Sequence, residues 1–389
     1  MSSSVFRVKE HIINCHHTRE YPAATKNGDT DIPRLAVKQY IPMDNANPQP
    51  GDVTIVAAHA NGFPKIADVW NQGQSGILNE DILGNDPGWF DHSRDLLRLI
   101  NEKQDEMPHP LIGIGHSMGG TQLAYLSLAN PRLLRSLVLI DPVIQSTNAG
   151  IIPGVSSTSR RDVWPSMDKA VSSFRRSKLY RSWDPRVLQH WIEYGLRPME
   201  PDTHAAPDNS RNNSPVTLAT SKHQELFLYL RPTYRETPGE RYTDYEPSTD
   251  RSQPESYPFY RPEPMQIFRR LPELRPSVLY IFGKDSYFAT PELREPKIVR
   301  TGTGVGGSGG VAAGRVQEAV LDCGHMIPME QIEECAKETA NFVASEASRW
   351  ENERRAFEEY QNARTMREQM TIDERWVDEV DPAKHQPKL

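Results

Sequence analysis

The chain has 389 residues, a formal net charge of −7 and 37% apolar residues, which bounds it to one large domain with an insertion, or to two domains, with a real core. No basic stripe with interleaved aromatics is present, so no nucleic-acid partner is expected. Three scattered cysteines (Cys15, Cys323, Cys335), no apolar leader after Met1 and no run near the ~20 apolar residues of a membrane span give the expectation of a soluble chain in a reducing compartment.

In chain order, 5–14 and 34–41 alternate apolar and polar side chains, as strands with one wet face do, and 53–58 (VTIVAA) is nearly all apolar, as a buried strand is. Cys15-His16-His17 has metal-ligand chemistry, but no second cluster with ligand spacing completes a site, so no metal is expected. After the buried strand comes His59-Ala60-Asn61-Gly62-Phe63-Pro64, a small-residue loop where an oxyanion donor can sit, with Asn61 or Phe63 supplying the N–H. Only a few residues then separate Phe63 from the next strand-like piece at 67–76. A parallel sheet needs a crossover of about a dozen residues or more between strands, so the sheet either loses a strand and a helix around 64–67 or is rearranged there.

A helical pattern at 91–102 leads to Leu111-Ile112-Gly113-Ile114-Gly115-His116-Ser117-Met118-Gly119-Gly120. An apolar β-type run ends in G-x-S-x-G and passes directly into a helix, which is the strand, sharp turn and helix that present a nucleophile. Ser117 would be that nucleophile and the Met118 N–H an oxyanion donor. Buried strands follow at 137–140 and 277–282 and a short strand at 316–321, and β and α segments alternate as in a mostly parallel sheet. Between them, 164–182, 184–196 and 217–230 read as helices rich in Trp, Tyr and Leu, linked by the polar stretch 198–215 and the Pro-rich stretch 232–264, a lid over the carboxyl ends of the strands. The literal G-x-G-x-x-G within 301–310 lacks a surrounding βαβ unit, so no dinucleotide, and no other cofactor, is expected; a flexible loop near the site is the better reading. An amphipathic helix at 328–347 and a charged helical tail close the chain. The expected divisions are 1–145 and 273–347 for an α/β core, 146–272 for the lid and 348–389 for the tail.

A serine needs a base whose tautomer a carboxylate holds. His325, on a small-residue loop after the last strand and C-terminal to Ser117, fits the base; His59 and His116 shape the pocket. For the acid, Asp285 after 277–282 is favoured narrowly over Asp141 after 137–140, although the usual spacing after Gly283 puts Ser286 in register.

GHSMGG, LIDPVI and GHMIPME resemble the α/β-hydrolase superfamily. HANGFPK, NQGQSG, LNEDILGNDPGWFDHSRDLL and TGTGVGGSGG resemble more narrowly the fungal peroxisomal α/β-hydrolases, including those of the AK-, AF- and ACT-toxin clusters, over about residues 5–345. The resemblance implies an α/β-hydrolase fold and a serine hydrolase of a medium-chain or polyunsaturated acyl ester or thioester in secondary metabolism. In that family a helix and a strand follow HANGFPK, and most of that block is missing here; the alternative is a binding protein with an impaired catalytic scaffold. The family tends to have Ser at the position of the usual acid, which keeps Asp141 open. The terminal Pro387-Lys388-Leu389 resembles a peroxisomal targeting tripeptide of the S-K-L type, with the import receptor as implied partner.

Overall fold

Each apolar run bounded by turn residues becomes a strand, and register brings the strand ends to one rim. The computed structural model describes residues 5–63, 68–199, 214–233 and 258–380. The tripeptide 387–389, residues 64–67 and most of the two polar and Pro-rich stretches lie outside them. β1 (Phe6–Asn14) and β2 (Arg34–Pro42) pair antiparallel as a separate two-stranded sheet. Then follow β3 (Thr54–Ala58), α1 (Gly73–Leu78), α2 (Trp89–Glu102), β4 (Leu111–His116), α3 (Met118–Ala129) and β5 (Ser136–Ile140).

The lid comprises α4 (Ile151–Thr158), β6 (Val163–Trp164), α5 (Met167–Arg176), α6 (Lys178–Arg181), α7 (Pro185–Tyr194), β7 (Leu196–Pro198), β8 (Val216–Leu218) and α8 (Lys222–Tyr229). Its three short strands form their own sheet in the order β6-β8-β7. Trp164, Phe174, Tyr180, Trp183 and Trp191 pack together as its core. The chain returns through α9 (Glu263–Arg270), β9 (Ser277–Gly283), α10 (Pro291–Arg300), β10 (Val316–Leu321), α11 (Ile327–Glu330) and α12 (Ile332–Asn362).

The main sheet is parallel, in the order β10-β9-β5-β4-β3. Its first face (Val56, Leu111, Leu137, Leu139, Tyr280) packs with α2, α3 and α9; on the second, Val138, Ile140, Leu279 and Ile281 pack with Cys335 and Phe342 of α12. Pairing of Ala58 with Gly115, His116 with Ile140, and Leu321 with Gly283 aligns the carboxyl ends. Ser117, Asp141, Ser286 and His325 therefore all follow strands at the same rim, where ligands of parallel sheets bind.

Two compact units divide the chain, Met1–Val343 and Ala344–Leu389. Among the described residues no helix is long and apolar enough to cross a membrane.

Two expectations are corrected. Over its described residues the strand-like piece at 67–76 is not a strand: Asp68–Gln72 is irregular and turn, α1 begins at Gly73, and α2 carries the crossover from β3 to β4. The glycine stretch 301–310 is not near the site. It precedes β10, at the opposite rim, and is laid against 271–274 by Gly302 N–H to Leu271 O (2.9 Å), Gly304 N–H to Pro272 O (2.8 Å) and Ser308 N–H to Leu274 O (2.9 Å).

Candidate active site

Ser117 sits between β4 and α3 with φ 57° and ψ −119°, a left-handed conformation that costs a residue with a Cβ on the order of 1–3 kcal/mol. Its surroundings hold it there. Ser117 N–H donates to Ile140 O (2.9 Å) and its carbonyl accepts from Val143 N–H (3.2 Å). A Cβ on Gly115 would lie 2.6 Å from Gly120 N, and one on Gly119 2.3 Å from Ala58 O, so only glycine lets the turn close this tightly.

His325 Nε2 lies 2.9 Å from Ser117 Oγ, and its Nδ1 2.5 Å from Asp141 Oδ2. With Nδ1–H donating to the carboxylate, Nε2 is left to accept the serine proton. Asp141 is fully buried, has φ 41°, and its N–H donates to Ile281 O (2.7 Å). The acid against the histidine is therefore Asp141, and the narrow preference for Asp285 is corrected. Asp285 is exposed, because its neighbour Ser286 takes the inward register. Ser286 Oγ–H donates to the same Asp141 Oδ2 (2.5 Å) and accepts from Phe288 N–H (3.2 Å). Sequence reasoning noticed this register but gave the hydroxyl no part; the spacing after Gly283 was the available signal.

The second imidazole at the site does not compete as a base. His116 Nε2–H donates to His325 O (2.9 Å), and burial, with His325 and His59 nearby, pushes its pKa down to about 3, so it stays neutral. His59 is used structurally: Nδ1–H donates to Ala60 O (2.7 Å) and Nε2 accepts from Val69 N–H (3.2 Å).

The loop after β3 lies against the start of α3, as the close approach of Gly119 to Ala58 and His59 requires. Phe63 N–H donates to Ala60 O (3.1 Å), which closes a turn and removes Phe63 from the two candidate donors. Its ring instead packs on Trp183 and Trp191 at 5.6 and 5.4 Å. Gly62 N–H goes to Gln72 Oε1 (2.8 Å), while Asn61 Nδ2 donates to Glu225 O (2.9 Å) and Asn61 Oδ1 accepts from Gln72 Nε2. Gln72, just before α1, thus braces the loop; nothing in the local sequence signals that. Among the described residues, the backbone N–H groups of Asn61 and Met118 have no protein acceptor. Beside this loop and His116 lies an apolar cavity of about 180 Å³.

A constellation of this kind can form and hydrolyse an acyl-enzyme. Residues 55–339 match the family model described as "Alpha/beta hydrolase family". A type I acyl-CoA thioesterase, mpaH′ of Penicillium brevicompactum, is 34% identical over 98% of this chain and 97% of its own. That alignment runs over 433 positions against a chain of 389 residues, so at least 44 positions of the relative have no counterpart here. An abhydrolase domain-containing protein of Alternaria alternata, AFT2-1, is 28% identical over 61% of this chain and 84% of its own. Among solved structures, the peroxisomal alpha-beta-hydrolase Lpx1 of Saccharomyces cerevisiae superimposes with a TM-score of 0.65, at 17% identity, over 93% of this chain and 99% of that one.

Proposed function

The chain belongs to the alpha/beta hydrolase family and is a hydrolase of carboxylic esters or thioesters, and from that premise we propose a serine thioesterase acting on an acyl-CoA intermediate of fungal secondary metabolism. The observation that carries the serine mechanism is the relay of Ser117 Oγ, His325 and Asp141 at 2.9 and 2.5 Å. The thioester class rests on the likeness to the Penicillium acyl-CoA thioesterases.

In the first half-reaction Ser117 Oγ attacks the acyl carbonyl carbon as its proton passes to His325 Nε2. Asp141 stabilises the imidazolium, and the N–H groups of Met118 and Asn61 receive the oxyanion, each such donor contributing on the order of 10²–10³ in kcat. Collapse breaks the C–S bond, the thiol leaves with the His325 proton, and Ser117 is acylated. Water then attacks the acyl carbon, gives its proton to His325, and the free acid departs as Ser117 regains that proton. No step needs a cofactor.

The same reading places the enzyme in peroxisomes, through recognition of Pro387-Lys388-Leu389 by the import receptor. Covalent labelling by a fluorophosphonate, paired with thiol release from acyl-CoA, tests the mechanism. Labelling and turnover are expected in the wild type and absent from Ser117→Ala; turnover surviving in a folded Ser117→Ala protein would overturn it.

A further inference from the structure

β3 is an edge strand of the main sheet, while β2, next before it in the chain, pairs only with β1. Parallel sheets are normally covered on both faces. At β3 the first face is covered, with Val56 and Ala58 in the main core. On the second face α12 reaches β5 and β9 through Cys335 and Phe342, with Ile114 of β4 packed at the edge of that cluster. Ile55 is 54% exposed there, and Ala57 and Ile114 are only half-buried.

The apolar cavity occupies this place. Ala57, Ile114 and Ile140 of three adjacent strands form its floor, Pro328 and Met329 a wall, and Trp183, Val187 and Trp191 of the lid its roof. His59 and Ala60 of the loop after β3, and His116, the residue before Ser117, also line it. Both ring nitrogens of His59 and one of His116 already serve the fold. The Trp183 and Trp191 indole N–H groups are buried without a hydrogen-bond partner among the described residues.

We propose that this slot is a binding site for the distal end of the substrate's acyl chain, so that the chain runs from Ser117 beneath the lid tryptophans onto the second face of the sheet. The proposal rests on the acyl-hydrolase reading above and adds a chain-length determinant to it. A hydrocarbon tail matches the apolar floor and wall, and each methylene buried there is worth roughly fourfold in kcat/KM.

The test is the ratio of kcat/KM for decanoyl-CoA to that for butyryl-CoA, measured on the full chain. The wild-type ratio should exceed about a hundred, given roughly fourfold per methylene over the part of the chain that reaches the slot. Ala57→Phe fills the floor and should lower that ratio at least tenfold. Ile114→Ala opens it and should move the preferred chain length upward, and it keeps the proposal testable should the larger side chain impair folding. Ser117-dependent turnover with the same ratio in the wild type and both folded variants would overturn the slot while leaving the hydrolase reading intact. Absence of turnover at every chain length, with no Ser117 labelling, would overturn both.

Discussion

Asp141 Oδ2 accepts from both His325 Nδ1 and Ser286 Oγ at 2.5 Å, while Oδ1, equally buried, has no partner. One oxygen therefore sets the histidine's tautomer, and the hydroxyl in the register after β9 holds that oxygen in place. Asp141→Asn should lower kcat by roughly 10⁴, because an amide cannot hold the same imidazole tautomer and charge, whereas Asp285→Asn, at an exposed side chain, should leave kcat within about twofold. Equal, mild effects in steady-state assays would remove Asp141 from the mechanism. Because Ser286 already faces His325's acid, adding Ser286→Asp to the Asp141→Asn background should recover part of the lost kcat. Ser117→Ala and His325→Ala should each cost roughly 10⁴–10⁶ in kcat with circular dichroism unchanged, since nucleophile and base act as one unit.

Among the elements, α2 connects β3's loop to β4 and buries Trp89, Phe90, Leu96, Leu99 and Ile100 against the first face. It also buries His92, whose two ring nitrogens have no hydrogen-bond partner. Burial, then the neighbouring His59, pushes the His92 pKa down to about 3. Between that value and the unfolded value near 6.5, the unfolded chain binds the extra proton, so stability falls as pH drops through this window. Replacing His92→Phe should flatten the acid limb by about 1.4 kcal/mol per pH unit. Urea unfolding from pH 6.5 to 4.5 measures the slope, and an unchanged slope would show that His92 is not the group responsible.

At the scale of the whole molecule, the proposed address should be separable from the chemistry. Deleting Pro387–Leu389 should leave hydrolysis in vitro unchanged and turn punctate fluorescence of an N-terminal fusion into diffuse cytosolic signal; puncta that survive the deletion would refute the tripeptide as the signal. Much of the fold was legible in the chain alone, because strands and helices announce themselves through local periodicity. The elbow around Ser117 was legible because a left-handed turn flanked by close-packed backbone admits only glycine at Gly115 and Gly119. The placement of His325 at this rim was legible from chain order, since His325 follows the last strand, and the structure sets its Nε2 2.9 Å from Ser117 Oγ. What lay out of reach was everything set by contacts between distant segments. Asp141 and Asp285 both follow strands, and only the packing of β5 against β9 turned one carboxylate inward and the other to solvent. Asn61 and Phe63 are two residues apart, and only the turn to Ala60 O and the brace from Gln72 distinguished their N–H groups. The exposure of Ile55 on β3 and the apolar cavity that Ala57, Ile114 and the lid tryptophans line were likewise decided by the tertiary structure, where lid and sheet close over the space.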